Sequence, residues 1–168
     1  GQLSLAVWPL EKASSDPSLA MTAGLLLAST FLGLQSHEDA ASVATKVLEQ
    51  DPSRIAALKV RAQALLGANR REEALQDTTR LRELAPEDHA ALLLHATILA
   101  KLDRIEEAER AHEDLEKLAA KTGDAAAAVR ACLARASFFE DTLEDDARAE
   151  AQFERCVEQG PTDGLALQ

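Results

Sequence analysis

Residues 55–86 and residues 89–120 overlay on each other at an offset of 34 positions. The first stretch reads IAALKVRAQALLGANRREEALQDTTRLRELAP and the second HAALLLHATILAKLDRIEEAERAHEDLEKLAA. At that offset Leu58 meets Leu92, Ala62 meets Ala96, Leu65 meets Leu99 and Leu81 meets Leu115. The triplet Glu72-Glu73-Ala74 meets Glu106-Glu107-Ala108. A fixed period of this length decides architecture before any other feature is weighed. Each period holds two runs with apolar residues at helical spacing, joined by a short polar turn. Such a unit cannot bury its apolar face alone and has to stack on a neighbour.

Composition agrees. Hydrophobic residues make up 46% of the 168, yet aromatics only 3%, so the apolar content is mostly alanine and leucine. Both are strong helix formers, while the aromatics that favour strands are nearly missing. Gly33, Gly67 and Gly123 fall at turns.

The spacing resembles the tetratricopeptide repeat. That family has a small residue at position 8, a large apolar one at 11, alanine at 20 and often proline at 32. With Ile55 as position 1 these are Ala62, Leu65, Ala74 and Pro86; with His89 they are Ala96, Leu99, Ala108 and, departing from the pattern, Ala120. Position 4, often tryptophan in the family, is Leu58 and Leu92, and position 24 is Thr78 and His112 in place of an aromatic. The resemblance implies an all-α, right-handed solenoid of stacked helix–turn–helix repeats.

Taken in order, residues 1–16 fit no complete repeat. They read as a tail or the remnant of an upstream repeat, with Trp8 packing under the first helix; the alternative is a short helix opened by Pro9. Complete units follow at 17–52, 53–86, 87–120 and 121–161. The first has Ser36 as N-cap of its second helix, Ala40 at position 20 and Pro52 at position 32. In the fourth unit the repeat alanine is Ala149, 41 residues after Ala108, and residues 121–124 form the turn with Asp124 as cap. Its first helix presents Val129, Cys132, Ala136 and Phe139 on one face, and its second carries Ala149, Phe153 and Cys156. Residues 162–168 look like the start of a truncated further repeat, so we expect a piece of a longer array.

The formal charge of −11 argues against nucleic acid, which needs clustered Lys and Arg, and against an anionic membrane surface. It suits a solvated outer face or a docking surface for a basic partner. No segment has 18 consecutive apolar residues, so no direct membrane insertion is expected. Cys132 and Cys156 form no disulfide framework and no CxxC, and read as small core residues. The compartment is left unassigned.

No catalytic constellation appears: there is no glycine-rich phosphate loop, no HExxH and no GxSxG. We therefore expect a non-enzyme without a cofactor. His95 and His112, at positions 7 and 24 of one repeat, sketch a metal site if Cys132 joins them. The reading preferred here is two partly buried histidines in a core seam, because structural zinc needs four ligands at suitable spacing.

At 100° per residue, positions 2, 5, 9, 12 and 13 of each first helix lie opposite the core-facing positions. In the family that side lines a concave groove. The residues expected to bind a partner there are Leu25, Ser29 and Leu32; Lys59, Gln63 and Leu66; and Leu93, Thr97 and Lys101. Lys59 and Lys101 are the only charges among the groove positions of these three units. Family members that clamp chaperone tails carry Lys, Asn and Arg where this chain has Leu25, Ser29, Val60, Ala90 and Leu94, so that ligand is rejected. The expected function is a scaffold holding a peptide or helix of a partner protein in the groove. The alternative is a regulatory or targeting arm of a larger enzyme or of a bacterial-type secretion or envelope-assembly machine. Open solenoid ends would add self-association.

Overall fold

The computed structural model describes residues 2–16 and 18–159, and these form nine α-helices and no strand. They are α1 Gln2–Ser14, α2 Ala20–Gly33, α3 His37–Gln50, α4 Ile55–Gly67, α5 Arg71–Leu84, α6 His89–Lys101, α7 Ile105–Thr122, α8 Ala125–Asp141 and α9 Asp146–Gln159. Helices α2 to α9 make four consecutive pairs, the all-helical repeat expected from the sequence. The stretch 162–168, read as a truncated repeat, lies outside the described residues.

The turn inside each pair repeats as strictly as the core. Gln35, Asn69, Asp103 and Glu144 all have positive φ, between 51° and 62°. A left-handed residue closing a helix lets the next amide reach back to an orphan carbonyl. Accordingly Ser36 N–H donates to Phe31 O (2.9 Å), Arg70 to Leu65 O (2.8 Å) and Arg104 to Leu99 O (3.0 Å). In the last pair Asp145 donates to Phe139 O (3.0 Å), which spans one residue more. Five residues after each left-handed position stands an alanine, Ala40, Ala74, Ala108 or Ala149, and all four are buried. A larger side chain there would hold the paired helices apart.

Two compact units divide the chain, Gly1–Pro86 and Glu87–Gln168. In the first, α1 packs on α2, α2 on α3 and α4, and α4 on α3 and α5. Its buried apolar side chains come from α2 to α5, among them Leu27, Val47, Leu58, Leu65 and Leu81. Gly67 ends α4 where the His37 ring occupies the place of a Cβ, so any side chain there would have to displace that ring. Residues 2–14 form a helix with Pro9 inside it. Trp8 is 69% exposed and carries Lys12 Nζ 5.6 Å over its ring, so it does not pack under the first repeat as expected. Ser36 makes no capping hydrogen bond, another departure from the sequence reading.

In the second unit α6 packs on α7 and α8, α7 on α8, and α8 on α9. The wider spacing between Ala108 and Ala149 goes into longer helices: α7 has 18 residues and α8 has 17, against 13 or 14 in the other paired helices. Lys121 and Thr122, expected in a turn, continue α7. Gly123 at φ 67° ends it, and the Asp124 carboxylate accepts from Ala127 N–H at 2.9 Å as the expected cap. Asp88 caps α6 in the same way through Ala90 and Ala91 N–H, each at 3.1 Å.

The cysteines call for a correction. Both are buried as expected, but they are joined: Cys132 of α8 and Cys156 of α9 form a disulfide with Cα atoms 5.6 Å apart. Cys132 lies on the side of α8 that packs against α9, so the two side chains meet and neither is a free core thiol.

Candidate functional site

All nine residues singled out above stand on the first helices of their pairs. In the first unit Leu25, Ser29 and Leu32 stand on α2, and Lys59, Gln63 and Leu66 on α4. Ser29 and Gln63 are exposed; Leu25, Leu32, Lys59 and Leu66 are half-buried. Ser29 Oγ donates to Leu25 O at 2.9 Å, so its hydroxyl is satisfied within the helix. Leu26, exposed at 54%, is a larger apolar surface on α2 than either leucine chosen from the pattern.

In the second unit the three expected residues share a cleft. Leu93, Thr97 and Lys101 of α6 form one wall, with Ala100 between them. Ala134, Ser137, Phe138 and Asp141 of α8 form the other, Thr142 closes one end, and His112 of α7 contributes to the lining. The cleft has a volume of about 270 Å³. Its lining mixes an apolar part with one cation, Lys101, and one anion, Asp141. Thr97 Oγ1 donates back to Leu93 O at 2.9 Å.

His112 and Phe138 lie ring to ring, 5.0 Å between centroids and 31° between planes. His112 is 3% exposed, and its Nδ1 is buried without a hydrogen-bond partner. Burial, reinforced by the nearby Arg135 charge, lowers its pKa to about 4, so it is neutral at pH 7. His95 is likewise buried. Cys132 cannot join these histidines as a ligand because its sulfur is in the disulfide, and no group of three metal-ligating residues exists among the described residues.

Arginines bridge neighbouring helices in both units. In the first, Arg61 of α4 pairs bidentately with Asp77 of α5, Nε to Oδ2 at 2.8 Å and Nη2 to Oδ1 at 2.6 Å, and Nη1 reaches Thr45 of α3 at 3.4 Å. In the second, Arg135 of α8 meets Glu116 at 2.8 Å and Glu113 at 3.2 Å, both on α7. Gln152 of α9 donates to Glu116 at 2.5 Å, so one glutamate collects groups from both flanking helices. These networks line concavities of their own, about 390 Å³ beside Arg61 and Asp77 and about 630 Å³ beside Arg135 and Glu116, and the expected residues Leu93, Thr97 and Lys101 line the separate α6–α8 cleft.

The α8 wall was not read from the sequence. The longer fourth unit hides the register of its first helix, since the 34-residue offset from Leu93 and Thr97 lands on Ala127 and Ala131, which are core residues. Counting from the unit's far end, back from Ala149 as position 20, is the signal that places Ala134, Phe138, Asp141 and Thr142 at positions 5, 9, 12 and 13, on the open side.

No family model matches the chain, and no curated protein matches it. Solved structures do. The crystal structure of MamA is 16% identical, covers 91% of this chain and 85% of its own, and superimposes with a TM-score of 0.75. TTC0263, a thermophilic TPR protein of Thermus thermophilus, is 20% identical over 96% of this chain and 82% of its own, with a TM-score of 0.71. YrrB, described as a TPR protein with an unusual peptide-binding site, is 18% identical over 96% and 80%, with a TM-score of 0.70. The chain has the tetratricopeptide-repeat fold. Among the described residues no helix is long and apolar enough to cross a membrane.

Proposed function

We propose that this chain is a protein-interaction module that holds a peptide or helix of a partner protein against the face formed by the first helices of its repeats. The observation that carries the reading is the α6–α8 cleft, which gathers Leu93, Thr97 and Lys101 with an aromatic and aliphatic lining between one cation and one anion. Pockets that engulf a free small molecule run to about 300–1,000 Å³. At about 270 Å³ this cleft suits one anchor side chain of a longer ligand. Opposite charges near the cleft favour one direction of a bound segment, its acidic flank toward Lys101 and its basic flank toward Asp141. The peptide-binding site named for YrrB, which has the same fold, supports a peptide as the ligand class.

The test is capture of native partners by wild-type protein and by Leu93→Glu, Ser137→Arg and, on the first unit, Leu66→Glu. Leu93→Glu and Ser137→Arg are expected to lose partners while keeping the wild-type melting curve. Lys101→Glu is expected to slow association, more so at low salt. Retention of every partner by folded Leu93→Glu and Leu66→Glu would remove this face as the binding site.

A further inference from the structure

The outward side of α9 carries an apolar stripe edged entirely by acids. Ala149, Phe153 and Val157 follow one another at a spacing of four along the helix, which puts them in one row. Ala149 is buried, Phe153 is 36% exposed and Val157 is 80% exposed. A second row, Asp146, Glu150 and Glu154, runs beside it at the same spacing, and Glu140 of α8 completes the rim. Together they line an open surface of about 460 Å³ that holds four carboxylates and no cation.

Those four carboxylates differ from their neighbours. Glu109, Glu113, Glu116 and Asp145 in the same unit are each engaged by Arg135 or Arg148. Asp146, Glu150, Glu154 and Glu140 enter no ion pair among the described residues. Asp146 with Glu150, and Glu150 with Glu154, are like charges four apart on one helix, which repel. The helix that carries them is firmly held from the other side. Cys156 is bonded to Cys132, Gln152 to Glu116, and Arg148 to Glu109 at 3.0 Å. A pinned helix thus presents exposed apolar side chains beside a row of uncompensated negative charge.

We propose that this face docks a basic amphipathic helix of a partner protein, its apolar ridge over Phe153 and Val157 and its lysines or arginines against Glu140, Asp146, Glu150 and Glu154. An amphipathic helix offers anchors at three- and four-residue spacing that match the stripe. Its cations relieve the repulsion along α9 and are drawn to it by the local field. This surface is separate from the α6–α8 cleft and requires no occupant there.

The experiment uses the whole chain and three fluorescein-labelled synthetic peptides, read by anisotropy at low and high salt. One is a leucine–lysine helix with its leucines on one face. The second has the same composition scrambled to abolish the face, and the third replaces every lysine by glutamate. The patterned basic peptide is expected to bind roughly ten-fold or more tightly than the scrambled one, and the acidic one is expected not to bind. Val157→Glu, at a position open enough to leave the fold intact by circular dichroism, should weaken binding roughly ten-fold. The pair Glu150→Lys and Glu154→Lys should weaken it and flatten its salt dependence. Leu93→Glu should leave it unchanged, which separates this site from the groove. Equal binding of the scrambled peptide, or an unchanged affinity for folded Val157→Glu, overturns the proposal. So does a dimer in light scattering that Val157→Glu converts to monomer, since the occupant would then be a second copy.

Discussion

Arg61 in the first unit and Arg135 in the second both stand on the first helix of a pair and reach toward second helices, but they meet different company. Arg61 finds one buried carboxylate, Asp77, in a bidentate pair whose side chains are 25% and 6% exposed. Hydrogen bonding to Asp77 is the main cause of the rise in its pKa. Arg135 is spread over Glu116, Glu113 and Glu109, lies 5.3 Å from the Phe139 ring, and leaves its buried Nε without an acceptor. The charge balance diverges in the same way. Residues 1–86 hold ten acidic and nine basic side chains, residues 87–168 nineteen and nine. One scaffold, set by small residues at the crossings and left-handed residues in the turns, thus accepts a neutral ion-paired seam in one unit. In the other it accepts an acid-rich α7–α8 seam, with a disulfide joining α8 to α9. The units should therefore respond differently to reductant, to loss of a carboxylate and to acid, and residue-resolved hydrogen exchange can read each separately.

The largest difference is expected from the disulfide. Cys132 and Cys156 are 24 residues apart in sequence. Closing a loop of that size limits the unfolded chain by about 3–4 kcal/mol on the chain-entropy estimate. Reduction by a dithiol, or replacing both cysteines by alanine, should raise exchange in α8 and α9 and leave α2 to α5 unchanged. Equal loosening of both units would mean that the bond does not act locally.

Next is Asp77→Ala, which leaves the Arg61 guanidinium without its charged partner. Breaking a buried pair on one side costs about 3–5 kcal/mol; Arg61 is a quarter exposed, so a loss of about 2 kcal/mol is expected in the first unit alone. Arg61→Met with Asp77→Leu should recover most of it, because paired apolar replacements carry no stranded charge. If the double substitution is as damaging as the single one, the pair is holding α3 and α5 in position as well.

Acid should then affect the second unit first. In the unfolded chain a histidine takes up its proton near pH 6.5, and in the folded protein His112 does so near 4. Between those values the unfolded state binds more protons. The stabilisation is complete above about pH 6.5 and falls as the pH drops toward 4. From the two pKa values the loss at pH 5 is about 2 kcal/mol. His112→Phe keeps a ring against Phe138 and should flatten the exchange profile of α7 and α8 over this window. An unchanged profile would assign the acid sensitivity to carboxylates.

Much of this architecture was readable because alanine at a helix crossing has a steric cause that repeats. Ala40, Ala74, Ala108 and Ala149 gave the register, and the structure buries all four. The burial of His95 and His112 followed from the same count. The disulfide did not, because facing of Cys132 and Cys156 depends on how α8 and α9 pair, and no spacing within either helix encodes that. Trp8 is expected under the first repeat helix if residues 1–16 are the tail of an upstream repeat, yet on α1 it is exposed. The sequence places Ala149, Phe153 and Cys156 on the second helix of the fourth unit without assigning their faces. In the structure Cys156 lies inward while Phe153 turns toward the acidic edge, a division visible only once the neighbours of α9 are known.

The smallest effect expected is also the one that should be the same in both units. Arg70 and Arg104 occupy equivalent positions, 34 residues apart, just before the second helix of a pair. Each bridges to the glutamate three residues on: Arg70 Nε lies 2.7 Å from Glu73, and Arg104 Nη2 lies 2.7 Å from Glu107. All four side chains are open to water, where screening leaves such pairs little net stabilisation. Arg70→Ala and Arg104→Ala should therefore shift the melting temperature slightly, by equal amounts, and not at all at high salt. Arg70 has one contact that Arg104 is not seen to make, to Glu38 of α3 at 3.1 Å. If Arg70→Ala proves the more damaging of the two at low salt and the excess disappears in Glu38→Gln, that cross-helix bridge accounts for the difference. If the excess survives in Glu38→Gln, the two exposed bridges differ for a reason outside their charges, and the equivalence of the two turns fails.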